Sequence, residues 1–284
     1  MSKHTSVPFH RRNSTAAAAA AGAVALIGAG LLFSDAFAAD PAPAAKPVLP
    51  KANATFDYQI GAPYTPASGV KVISRDRSAK PAKGLYNICY VNAFQAQPDA
   101  LSWWQKNHPG LILKDKNNHT VMDENWGEAL LDTSTEAKRN ELAAIVGRWI
   151  DGCAKSGFQA VEPDNLDSYE RSKGLLTKTD NSAFAKLIVQ KAHAKGLAIG
   201  QKNTAEMLSE HTKTGFDFAV AEECAEYNEC GSYAKAYDNR VYVIEYEDDG
   251  FHKACSSWGK SLSIVQRDRD VTAPGSDDYT FRTC

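Results

Sequence analysis

The sequence lacks the short motifs that carry many enzyme chemistries. It contains no GxSxG nucleophile elbow, no Gly-rich phosphate loop and no HExxH zinc helix, which argues against a serine hydrolase, a nucleotide cradle and a zincin. No CxxC pair occurs and the seven histidines are scattered, so a zinc site has no ligand spacing to build on. A net charge of −2 leaves no basic excess, and hence no electrostatic case for nucleic acid. Beyond residue 38 no apolar run is long enough to span a bilayer, and no internal repeat is visible. No cofactor is called for.

What is present begins with a processing signal. Lys3, Arg11 and Arg12 precede an uncharged Ala/Gly-rich run from Ala16 to Phe33, and Ala36-Phe37-Ala38 has the small-residue spacing of a signal-peptidase site. Residues 1–38 are read as a signal peptide, which makes the protein secreted or periplasmic. Left uncleaved, the same run is a membrane anchor. Residues 39–52 are a Pro/Ala-rich linker. Removal of the signal takes away three Lys/Arg and one Asp, moving the net charge from −2 to −4. The six cysteines suit an oxidising compartment. Cys224 and Cys230 bracket a short loop and pair most readily, Cys255 and Cys284 can close the C-terminal segment, and Cys89 and Cys153 sit in apolar runs as core thiols.

From residue 53 to 284, short β-branched and aromatic runs recur: FDYQI (56–60), VKVIS (70–74), LYNICYV (85–91), EALLD (128–132), FQAVE (158–162), LAIGQ (197–201), FDFAVAE (216–222) and VYVIEY (241–246). LSIVQR (262–267) is a ninth candidate. Between them, 136–157 and 181–196 have helical apolar spacing and end near a glycine. Strand–helix alternation over about 230 residues predicts a single-domain α/β fold, a (β/α)₈ TIM-type barrel.

Such barrels build their sites at the C-terminal ends of the strands. Here those ends carry Asp76, Tyr90, Asn92, Glu162, Asp164, Lys202, Asn203, Glu222, Glu223, Glu245 and Glu247, with Asp248 and Asp249 behind. One carboxylate after a strand is usually a helix cap or a solvated loop. A ring of them around one mouth, with a lysine inside, is a site. By the two-residue period, Glu162 and Asp164 share a side, as do Glu245 and Glu247, whereas only one of Glu222 and Glu223 can face the axis. Two carboxylates flanking a sugar are what glycosidic cleavage needs, one protonated and one ionised. Tyr58, Tyr64, Tyr90, Trp103, Trp104, Trp126, Tyr169, Tyr227 and Tyr246 offer stacking faces near the strand ends. A mouth this acidic suits a cationic amino-sugar polymer.

The stretches GFQAVEPDNLDSY, AHAKGLAIGQKN, FDFAVAEECAEYNEC and VYVIEYED resemble the family 114 glycoside hydrolases, and a looser likeness runs from FDYQIGAPYTP to the C-terminus. The resemblance implies a (β/α)₈ barrel with endo-α-1,4-polygalactosaminidase activity on galactosamine-containing exopolysaccharide. It puts the catalytic pair on Asp164 and Glu222. It puts substrate binding on Asp76, Tyr90, Glu162, Lys202, Asn203 and Glu245, to which Asn165 of the same EPDN motif is added. Departures from the family pattern fall at Gln159, Ala160, Gln201 and Ala221. Two other readings remain open: a non-catalytic glycan-binding barrel, and a lyase or aldolase using Lys202 as a Schiff base. A monomer is expected.

Overall fold

The computed structural model describes residues 46–284; the expected signal segment and the first residues of the linker lie outside the described residues. In chain order the elements are β1 (Phe56–Gln59), β2 (Val72–Asp76), β3 (Tyr86–Asn92), β4 (Gln95–Ala96), α1 (Leu101–Asn107), β5 (Met122–Asp123), β6 (Glu128–Leu130), α2 (Glu136–Ser156) and β7 (Ala160–Asp164). There follow α3 (Lys178–His193), β8 (Ala198–Lys202), α4 (His211–Thr214), β9 (Phe218–Glu222), α5 (Cys230–Ala236), β10 (Val241–Glu245), α6 (Asp248–Trp258), β11 (Ser263–Arg267) and β12 (Phe281–Thr283).

Eight of these strands run parallel in the order β1-β2-β3-β7-β8-β9-β10-β11. Every one of the eight gives a residue to a single apolar cluster: Phe56 and Tyr58, Val72, Ile88, Ala160, Ala198, Phe218 and Val220, Tyr242 and Ile244, and Val265. A cluster fed from all eight strands is the filled interior of a barrel. Their immediate neighbours along the chain, Cys89, Val161, Ile199, Ala219 and Val243, pack with the helices in a second, larger cluster. The alternation follows from the two-residue period of a strand. Gly200 faces inward where a Cβ would stand 2.7 Å from the Phe218 ring, so its lack of a side chain admits the phenylalanine.

The first and eighth strands meet through side chains. Arg267 of β11 lies 3.5 Å from Asp57 of β1, both fully buried. β12 adds antiparallel to β11, and the Cys255–Cys284 disulfide ties the chain end to α6. At the opposite end of the strands, the hydroxyls of Tyr86 and Tyr242 donate to the carbonyls of Val48 and Lys51.

The helices form where expected. Thr135 caps α2 by accepting from the Lys138 amide, and Gly157, at φ 93°, ends it. Its Leu142, Ile145, Val146, Ile150 and Cys153 form one buried stripe. A reciprocal Thr177–Asp180 capping box starts α3.

Two expectations need correction. EALLD is not a barrel strand: Glu128–Leu130 is the middle strand of a small antiparallel sheet with β4 and β5, while β3 pairs directly with β7. Its partners, β4 and β5, lie in the same insertion, so the segment pairs locally. LSIVQR, held as a ninth run, is therefore the eighth barrel strand, and the count of eight stands. Cys89 and Cys153 are not free thiols but a disulfide joining β3 to α2. Each lies in an apolar run, and burial of that kind does not distinguish a thiol from a cystine. Cys224–Cys230 pair as expected.

The Cys89–Cys153 bridge closes a loop of sequence separation 64, against 6 for Cys224–Cys230. Replacing Cys89 and Cys153 by alanine is expected to lower stability by about 2–4 kcal/mol, the larger loss of the two bridges. Denaturant titration of the two double variants measures both.

Candidate active site

Three successive barrel strands end in the same local conformation. Asn165 follows β7 at φ 68°, Asn203 follows β8 at φ 46° and Glu223 follows β9 at φ 56°. Asparagine tolerates this left-handed region better than most residues, which accounts for the asparagines of EPDN and QKN. The turns aim the last inward side chains across the mouth. Asn203 donates to Glu222 Oε2 (2.9 Å) and accepts from the Glu222 amide (2.8 Å). The Asn165 amide donates to Asp164 Oδ1 (2.7 Å). Glu223 turns away to Arg269 (2.7 Å), so Glu222 is the member of the doublet that enters the barrel.

Lys202 is the centre of the arrangement. Its side chain is 1 % exposed, and its ammonium lies 3.1 Å from Glu162, 3.4 Å from Asp164 and 3.5 Å from Glu222. A fourth contact, 2.9 Å, goes to the Tyr58 hydroxyl. Burial disfavours the charged amine, but the three carboxylates outweigh it and hold the Lys202 pKa well above its usual value. Glu162 lies deepest. It accepts from Tyr58 (2.8 Å) and Ser74 (2.6 Å) as well as Lys202. Burial raises its pKa despite these partners.

Asp164 behaves differently at the rim. Burial opposes its ionisation, yet the Lys202 charge and the hydrogen bonds from Tyr90 (2.7 Å) and Asn165 bring its pKa below the ordinary aspartate value. Glu222 accepts from Asn203 on one oxygen and from the Tyr246 hydroxyl on the other. Because one ammonium touches Asp164 Oδ1 at 3.4 Å and Glu222 Oε2 at 3.5 Å, the sum of the two, 6.9 Å, is an upper limit on the separation of those oxygens.

A cavity of about 320 Å³ opens above them, lined by Asp76, Tyr90, Asp164, Asn165, Asn203 and Glu222 among others. Eight of the nine residues singled out from the sequence thus meet at one place: six on the cavity wall, with Lys202 and Glu162 beneath. Glu245 does not. It points to the helix layer, where its Oε1 accepts from the Ala225 amide (2.8 Å) and Gly250 leaves room for its Oε2. The cause is parity: Tyr242 and Ile244 are inward, so Tyr246 is the next inward residue of that strand and Glu245 is not. Glu247, Asp248 and Asp249 start α6 instead. Ala221 likewise faces the helices, and Asn203 and Tyr246 supply the side-chain hydrogen bonds of Glu222.

The sequence reading missed Glu128. The hairpin from β4 to β6 brings it, with the 63 % exposed Trp126, to the cavity wall. Burial, together with the charges of Asp164 and Asp123 and against the bonds from Asn92 and the Arg171 charge, pushes the Glu128 pKa up to about 7. Its place at the head of EALLD, mistaken for a barrel strand, hid it. A second hollow of about 680 Å³ shares Trp126, Asp167, Glu222 and Tyr246 with the cavity and is lined further by Glu170, Glu206 and Glu229. Among the described residues the one close grouping of metal-type ligands is Cys224, Cys230 and Glu245, and its two cysteines are bound to each other.

Carboxylates and aromatic rings at the C-terminal mouth of a (β/α)₈ barrel make an arrangement suited to cleaving glycosidic bonds. The chain belongs to glycoside-hydrolase family GH114, whose model matches residues 36–284, and it is a glycoside hydrolase. Among solved structures it is similar to Aspergillus fumigatus Ega3 in complex with galactosamine, with a TM-score of 0.68 and 22 % identity over 86 % of this chain and 100 % of that one. It is also similar to the glycoside hydrolase domain of PelA from Pseudomonas aeruginosa, with a TM-score of 0.56 and 15 % identity over 80 % of this chain and 98 % of the other. At these identities the two likenesses establish the shared barrel. By sequence, no curated protein matches the chain. No helix among the described residues is long and apolar enough to cross a membrane.

The raised carboxyls set a pH dependence of stability. Glu128 and Glu245 both titrate at about 7 in the folded protein against a usual 4.5, burial being the main cause in each. Between those values the folded protein holds protons that the unfolded chain releases, so stability falls as pH rises through that window. The melting temperature is expected to be higher at pH 5 than at pH 8, and Glu245→Gln is expected to flatten the difference. Calorimetric scans of the wild type and the variant across that range measure it.

Proposed function

We propose that this glycoside hydrolase is a secreted, endo-acting enzyme that cleaves α-1,4 linkages in galactosamine-containing exopolysaccharide, with Asp164 as nucleophile and Glu222 as acid and base. The observation that carries the assignment is the pair of rim carboxylates within contact of one buried ammonium. The 6.9 Å limit on the separation of their lysine-facing oxygens accommodates the ~5 Å of retaining enzymes. The pair is read as acting by double displacement with retention.

In that scheme Asp164, kept ionised by Lys202, Tyr90 and Asn165, attacks the anomeric carbon. Glu222 gives its proton to the departing glycosidic oxygen as that bond breaks. Glu222 then takes a proton from water, the water oxygen bonds to the anomeric carbon, and the ester to Asp164 breaks. Tyr246 and Asn203 orient Glu222 throughout. Asp76, Tyr90, Asn165 and Asn203 line the sugar site, while Glu162 and Lys202 position the carboxylates from below.

The substrate class is supported by charge. The second hollow continues the cavity as a groove that shares Asp167 with it and adds Glu170, Glu206 and Glu229, besides Glu223, which is paired with Arg269, and has exposed Tyr227 on its wall. A chain of ammonium-bearing sugars is attracted to such a groove, and a neutral glycan is not. Extension beyond one sugar on the Trp126 side supports cutting within a chain. Ega3, the structural neighbour, is described in complex with galactosamine. A signal peptide over 1–38 and a linker over 39–52, ahead of a hydrolase domain at 53–284, are the proposed route to the exterior.

The raised pKa of Lys202 weighs against a Schiff-base role, since the attacking amine must be neutral. A positioning role makes its own prediction. Lys202→Met removes the charge that holds Asp164 ionised, so the acidic limb of the pH–rate profile is expected to move to higher pH, with a stability loss on the order of 3–5 kcal/mol.

The function is tested on partly deacetylated galactosamine polymer by product sizing. The wild type is expected to shorten it, and Asp164→Asn or Glu222→Gln to lose on the order of 10³-fold or more in rate with the melting transition preserved. Nuclear magnetic resonance of the first products is expected to show the α-anomer. Full activity in either variant overturns the catalytic pair.

A further inference from the structure

A hollow of about 250 Å³ lies beside the catalytic cavity, and its chemistry is the opposite of the groove's. Its walls include Trp103, Trp104 and Trp149, with Arg77, Gln95 and Gln97, and no carboxylate lines it. The Trp103 and Trp104 rings meet edge to face at 5.2 Å, and Trp104 and Trp149 do so at 5.9 Å. Trp103 remains 42 % exposed, whereas Trp104 is buried. Arg77 sits 4.6 Å from the Trp149 ring centre and is the one charged group on the wall. An ammonium here meets the Arg77 charge with no carboxylate on the wall to offset it.

Two features tie the hollow to the cut site. Gln97 lines both spaces. Asn92, also on the hollow's wall, accepts from the side chain of Asn165 (3.0 Å), the residue that follows Asp164. A third feature describes what is missing. Gln95 is buried; its Nε2 donates to Asp123 (3.2 Å), while its Oε1 has no partner. A buried acceptor left in that state is destabilising and gains from a donor.

The units of a hexosamine chain differ from one another in one group, the ammonium or its acetylated form. The acetamido group is neutral, has a methyl to lie against an indole face, an N–H to donate, and a carbonyl that accepts from a guanidinium. Resting on the reading of the cleft as a galactosamine-polymer site, we propose that this tryptophan hollow is a subsite for an N-acetylated hexosamine unit, adjoining the same catalytic cavity as the acidic groove that takes the deacetylated ones. The enzyme then prefers partly acetylated chain to fully deacetylated chain, because both kinds of pocket are filled at once. Volume limits the hollow to about one ring or its N-acyl arm, below the range of larger ligand sites.

The test has two independent arms on the full-length protein. In the first, N-acetylgalactosamine and galactosamine are titrated against intrinsic tryptophan fluorescence, in the wild type and in Trp103→Ala and Arg77→Gln. A saturable response to the acetylated sugar is expected, weakened at least about tenfold in both variants. In the second, kcat/KM is measured on fully deacetylated and partly acetylated polymer. The wild type is expected to favour the partly acetylated one, and each variant to lose at least about tenfold more on it than on the deacetylated polymer. No fluorescence response to the acetylated sugar, or equal losses on both polymers, overturns the subsite. Failure of the wild type to cut either polymer overturns the substrate reading instead, and the fluorescence arm still decides the hollow.

Discussion

A single buried ammonium organises the mouth of this barrel. From β8, Lys202 reaches three carboxylates and a phenol on three other strands, β1, β7 and β9, and is almost wholly withdrawn from water. A charge so placed is tolerated only when its partners are near and well oriented. The reverse also holds. Glu162, Asp164 and Glu222 converge within one small volume, and without a cation among them their mutual repulsion and desolvation would favour protonation. The lysine therefore fixes the ionisation of the site as well as its geometry. Asp164, close to that charge and given two further hydrogen bonds, is ionised, while the more deeply buried Glu162 is biased toward its protonated form.

Around that centre, the barrel and its insertions have separate tasks. The eight strands bring the carboxylates together and hold them on rigid backbone. The left-handed turns after β7, β8 and β9 set the direction of the last side chain, and the first two return an asparagine amide to a carboxylate of the site. The insertion between β3 and α2 brings Trp126 and Glu128 to the cleft and, through α1, Trp103 and Trp104 to the hollow beside it. Such a division lets the chemistry stay on the strands while selectivity is set by the loops.

The repeated apolar runs and the capped, glycine-ended helices foretold the barrel, because strand period, helix period and cap chemistry are local properties. Asp164, Lys202 and Glu222 were legible for the same reason: each ends an apolar run, and the architecture sends such ends to one mouth. Glu245 was misjudged because its run has an acid at 245 and an aromatic at 246. Which of the two faces inward depends on the register of β10 against β9, where Ile244 stands opposite Glu222. Glu128 was missed because three residues of a local hairpin resemble a barrel strand in composition. Cys89 and Cys153 looked like core thiols because a disulfide between two apolar elements leaves no mark in either.

The alternation of strands and helices, the acidic character of the strand ends and the asparagines that permit tight turns there are all written along the chain. All of these depend on neighbours a few residues away. Tertiary structure alone decided which acids meet, how far apart they stand and which of them stays ionised. Those quantities arise from distances between residues as far apart as Tyr58 and Lys202, and electrostatic energy in a buried site depends on separation and solvent exclusion, neither of which is written along the chain.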